Sequence, residues 1–207
     1  MIENLIYVRH ISAPKIDRRE ILRYAGVRES CSEIEIMLDK CIDEALDKLS
    51  YKACYRVFDI KADEDEIDLG FSKTTSRSLI KTLEGCDKAV VFCAKVGSEL
   101  DRLVARYNVI SPSGAVLLQA LGSERVEALC DAFCHDLALE EEKNGNTLRP
   151  RFSPGYGDLP LDLQRDIFAT LGCTKAIGIT LGDNLFMNPT KSVTAIIGIK
   201  GKRNENS

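Results

Sequence analysis

Between residues 151 and 160 the chain reads Arg151-Phe-Ser-Pro-Gly-Tyr-Gly-Asp-Leu-Pro160, a guanidinium, two prolines, two glycines and a tyrosine beside an aspartate. Arg151 can grip a carboxylate through two parallel hydrogen bonds, and Gly155 lets backbone groups approach a ligand with no Cβ in the way. Tyr156 would project between them. Such a set suits a small polar ligand. Its residue types also fit a plain surface turn, in which proline and glycine only connect two helices. The other clusters are poorer in chemistry. Cys130, Cys134 and His135 could be drawn as metal ligands, but no fourth ligand is evident and core packing explains the cysteines better. Gly97, Gly114 and Gly122 form no phosphate-binding pattern. No catalytic residue and no metal ligand is assigned.

The elements that must hold this loop follow from hydrophobic periodicity. Asp17 caps a short helix through Tyr24, and a second helix runs from about Ser32 to Leu49, with Ile34, Leu38, Cys41, Ile42, Ala45, Leu46 and Leu49 on one face. A strand from Lys52 to Ile60 turns through an acidic run and returns as Ile67 to Phe71. A helix from Thr74 to Leu83, a buried strand over Ala89 to Cys93 and a helix from Ser98 to Tyr107 come next. From Ser113 to Lys143 there is no proline, which predicts one long helix capped by Ser111 or Ser113. After the loop, a helix over Leu161 to Leu171 stops at Gly172, and Ala176 to Leu181 and Ser192 to Ile199 read as strands. The expectation is an α+β fold with a mixed, mainly antiparallel twisted sheet flanked by helices and one long central helix. Residues 1–28 are read as an N-terminal appendage, 29–200 as the domain and 201–207 as a frayed tail.

Composition narrows the class. The chain has 207 residues, 44% hydrophobic and 29% charged, enough for a substantial core. A net charge of −4, with basic residues interspersed among acidic ones, argues against a nucleic-acid partner. The N-terminus carries Glu3 and no long apolar run, so neither a signal peptide nor a membrane span is expected. The eight cysteines form no CxxC pair and are read as reduced, mostly buried thiols of a cytoplasmic protein.

The Arg-x-x-x-Gly-Tyr run ending in Pro160 resembles the S-adenosylmethionine-binding loop of the activation domain of cobalamin-dependent methionine synthase. The stretch Ile177-Gly-Ile-Thr-Leu-Gly-Asp-Asn-Leu-Phe-Met-Asn-Pro189, followed by Ser192-Val193, is similar to a second motif of that domain. Ala120 to Glu127 is similar to the helix on which the family carries a glutamate at the ligand's amino end, and Glu127 matches it. Together these cover residues 115 to 200. The residues after Tyr156, Gly157-Asp158-Leu159, depart from the Pro-Ala-Cys of better-known members. The family's N-terminal aspartate and C-terminal tyrosine strand have no counterpart that can be placed.

The resemblance implies that Arg151 holds the carboxylate of S-adenosylmethionine and Glu127 its ammonium, that backbone groups of Ser153, Pro154 and Gly155 and the strands near Met187 to Val193 meet the adenine and ribose, and that the Gly155-Tyr156 turn faces the corrin. Glu127 has a plainer reading as well, since Glu124, Asp131 and His135 share its side of the helix and could form a solvated face. The resemblance further implies a free-standing reactivation subunit of methionine biosynthesis. It would dock on a cobalamin-dependent methionine synthase or another corrinoid protein and support methyl transfer to cob(II)alamin, with an electron donor such as a flavodoxin. The alternative is a docking or chaperone module that no longer uses S-adenosylmethionine.

Overall fold

Strand and helix boundaries follow where side chains find burial and where backbone donors find caps. A computed structural model describes residues 5–201. In chain order the elements are β1 (Tyr7–His10), α1 (Arg18–Tyr24), α2 (Ser32–Leu46), β2 (Lys52–Asp59), β3 (Lys61–Ala62), β4 (Ile67–Asp68), β5 (Lys73–Thr74), α3 (Arg77–Thr82), β6 (Lys88–Lys95), α4 (Glu99–Ile110), α5 (Pro112–Lys143), β7 (Thr147–Leu148), α6 (Leu163–Leu171), α7 (Cys173–Ile177), β8 (Thr180–Leu181), β9 (Met187–Asn188) and β10 (Ser192–Lys200).

The main sheet has five strands in the order β1-β2-β6-β10-β7, and every pairing in it is antiparallel. Its central strand, β6, is buried on both faces, as its unbroken apolar run requires. Because side chains alternate, Val90, Phe92 and Ala94 face one core and Ala89, Val91 and Cys93 face another. The first core lies under α1, α2, α4 and the 32-residue α5, which carries Leu118, Leu121, Leu129 and Phe133 inward. The second lies under α3, α6 and α7. The expected α+β architecture with one long helix is therefore the observed one.

Several boundaries move for identifiable reasons. Ser111, not Ser113, caps α5, its hydroxyl accepting from the Gly114 amide. The expected helix over Thr74 to Leu83 starts late, because Thr74 belongs to β5 and Ser76 supplies the cap of α3. Helix α2 stops at Leu46 instead of Leu49, with the chain already turning at Asp47. The expected strand from Ala176 to Leu181 is largely wrong. Gly172 and Gly178, both at positive φ, bracket the short helix α7, whose Cys173 and Ile177 are one turn apart and buried, leaving only Thr180–Leu181 as strand.

The N-terminal segment is clasped to α5. Arg125 is fully buried and donates to the carbonyls of Pro14 and Lys15 and to Glu124, which also accepts from the Asp17 amide. β1 forms a sheet edge against β2, and Ile21 of α1 is buried in the α5 core. Of the tail, residues 202–207 lie outside the described residues, as do the first four of the N-terminus.

Candidate functional site

The loop after α5 is tied to the sheet at two points before it turns away. The Arg149 amide donates to the Gly198 carbonyl, and Phe152 exchanges both backbone hydrogen bonds with Ile196, at 2.8 Å each. The chain then turns, with the Tyr156 amide on the Ser153 carbonyl and the Gly155 amide on the Leu159 carbonyl. Gly155 and Gly157 sit at φ +84° and +58°, where a side chain is strained. A Cβ on Gly155 would lie 3.1 Å from Leu161 Cδ1, so its missing side chain serves packing within the loop.

Asp158, one of the residues that departs from the family pattern, has a clear structural task. Its carboxylate accepts from the Ser76 hydroxyl and from the amides of Arg77 and Ser78, pinning the loop to the start of α3. The Ser76 hydroxyl does most to lower its pKa and, with the bonds from Ser78 and Arg77, outweighs the opposing effect of burial, bringing the value to about 2.

An open cleft of about 980 Å³ lies between α5, this loop, α6 and β10. Glu127, Arg151, Ser153, Pro154 and Tyr156 all line it, and Gly155 is not among its lining residues. Met187, Ser192 and Val193 from the second motif line it too. On the α5 wall Arg151 donates to Glu127 at 2.6 Å and to Asp131. Burial works against its charge but is outweighed by the Asp131 bond and the attraction of neighbouring acids, so the guanidinium is held above its ordinary pKa. Glu124, Glu127, Asp131 and His135 do not form one solvated face. Glu124 turns inward to Arg125, and the other three stand at or beside the cleft. Cys130 is part of the core, where burial raises its pKa, and the described residues include no cluster of three metal-ligating side chains.

Two residues at the floor escaped the sequence reading. Gln164 on α6 and Thr194 on β10 are 6% and 2% exposed, line the cleft, and have Oε1 and Oγ1 without hydrogen-bond partners. A signal for Gln164 was present: it falls in line with Ile167 and Leu171 at helical spacing, a polar residue on an apolar stripe. Thr194 similarly interrupts a nearly apolar strand.

No family model and no curated protein matches the chain. Among solved structures it is similar to a crystal structure of the MetH reactivation domain bound to AdoHcy, with a TM-score of 0.64 over 98% of this chain and 80% of that one. The chain has the fold of that domain. Sequence identity is 13%, so the similarity is one of fold.

Proposed function

We propose that this cleft binds S-adenosylmethionine and that the protein reactivates a cobalamin-dependent methionine synthase or another corrinoid protein. The observation that carries the reading is convergence. Five residues singled out by two separate parts of the sequence line one cleft, in a chain whose fold is that of a domain solved with AdoHcy. S-adenosylhomocysteine is the product that S-adenosylmethionine leaves after giving up its methyl group.

Arg151 takes the ligand carboxylate in this reading, and Asp131 holds that place until the ligand arrives. Asp131 is the more exposed of the two acids, 70% against 44% for Glu127, so it is the partner displaced at less cost. Glu127 then stays beside the guanidinium to take the ligand ammonium. Tyr156, 71% exposed at the cleft's mouth, is free to meet a docked protein. The chain contributes position and charge, without an acid or base of its own. A cobalamin held by the partner accepts the methyl as an external donor such as a flavodoxin adds one electron, leaving S-adenosylhomocysteine and methylcobalamin.

Isothermal titration of the wild type and Arg151→Ala with S-adenosylhomocysteine tests the binding. A wild type that does not bind, or an alanine variant that binds equally well, overturns it. Mixing the protein with cob(II)alamin-loaded partner, S-adenosylmethionine and reductant tests the role. Association without methylcobalamin formation selects the docking-module reading instead.

A further inference from the structure

The floor of the cleft carries more polar capacity than the protein uses. A buried acceptor without a donor costs stability, and such groups in a folded chain call for an explanation. Gln164 Oε1 and Thr194 Oγ1 are two of them, side chains more than nine-tenths buried on residues that line the same cleft.

The backbone beside them is open as well. Phe152 takes both outward backbone groups of Ile196. In an antiparallel ladder outward groups recur every second residue, so the next pair on β10 belongs to Thr194. Continuing the register would put Pro154 opposite it, and proline has no N–H to give. The loop turns away at Ser153, leaving this edge facing the cleft.

We infer that Gln164 and the Thr194 edge form a subsite for an aminopurine base, with the Gln164 amide reading the 6-amino group and N7 together. An amide offers an acceptor and a donor side by side, which matches adenine's N6–H donor and N7 acceptor. Hypoxanthine presents two acceptors along that edge, O6 and N7, so the amide satisfies only one of them in either orientation. Thr194 adds its hydroxyl and outward backbone next to the amide. This inference rests on the reading of the cleft as an S-adenosyl site and adds the means by which the base is chosen.

The test is titration of the full chain with S-adenosylhomocysteine and with its inosine analogue, for the wild type, Gln164→Leu and Gln164→Glu. The wild type should prefer the adenine ligand by about tenfold or more, the size of a well-placed bidentate contact to a base. Gln164→Leu should bind the adenine ligand about tenfold more weakly and lose the preference, whereas Gln164→Glu, whose carboxylate still accepts from the 6-amino group but has no donor for N7, should bind the adenine ligand more weakly and keep the preference. Melting of ligand-free Gln164→Leu should be unchanged or raised, since it removes an acceptor that has no donor, and a merely structural glutamine would show the reverse. Wild type that binds both ligands equally, a leucine variant that keeps the preference, or a glutamate variant that loses it overturns the inference and leaves the S-adenosyl reading standing. A wild type that binds neither ligand overturns both.

Discussion

If Asp131 occupies the carboxylate's place on Arg151, removing its charge should tighten ligand binding. Asp131→Asn keeps the shape and deletes the competitor, while Glu127 remains to orient the guanidinium at 2.6 Å. Side chains 26% and 70% exposed make this a largely solvated pair, of the kind worth about 0.2–1 kcal/mol. Binding must break that pair before a new one forms. By the usual conversion of about 1.4 kcal/mol per tenfold, affinity for S-adenosylhomocysteine should rise by up to about fivefold. The gain should shrink as salt is added, because the pair is open to screening. Calorimetric titration at two ionic strengths measures both. A loss of affinity in Asp131→Asn would refute the reasoning and make Asp131 itself a ligand contact, taking the ammonium assigned here to Glu127.

Three further expectations concern the scaffold. Arg125→Ala strips a fully buried guanidinium from Glu124 and from two carbonyls of the N-terminal segment, and should cost about 3–5 kcal/mol in urea unfolding; a loss below about 1 kcal/mol would contradict it. Asp158 has a folded pKa of about 2, below the ordinary value of about 3.9. Its stabilisation is therefore complete above about pH 4 and is lost as pH falls through about 2, so Asp158→Ala should be less stable at pH 7 and flatten the acid limb of the stability curve. Gly122→Ala places a Cβ 2.5 Å from Leu100 and 2.9 Å from Lys191, and should lower stability by about 1–3 kcal/mol despite alanine's better helix propensity; a more stable variant would refute the packing argument.

Where burial repeats along a long element, on one face or on both, the sequence was a good guide. The stripe of α2, the proline-free run of α5 and the unbroken apolar run of β6 each show this. Failures came where an element is short. Ala176 and Ile177 look alike as strand or helix, and the left-handed glycines on either side decided for helix. The candidate site divides in the same way. Arg151 and Tyr156 stood out because charge, proline and glycine are conspicuous in a connector. The pairing of Arg151 with Asp131 and the capping role of Asp158 depend on contacts 20 and about 80 residues distant, which no local pattern encodes. Gln164 was legible as a polar residue in an apolar stripe, and its significance emerges once its acceptor is found alone.

An uncovered strand edge usually invites another chain, since its row of amides and carbonyls is a template for pairing and aggregation. On β10 that row is interrupted. β7 and Phe152 occupy the end nearest Lys200, and after Ser153 the chain leaves the ladder. A peptide strand needs several consecutive outward positions, and among the described residues of β10 those left without a backbone partner on this side are Ser192 and Thr194, both buried. Pro154, by denying the ladder its next rung, thus leaves a gap too short for a strand and long enough for a small molecule.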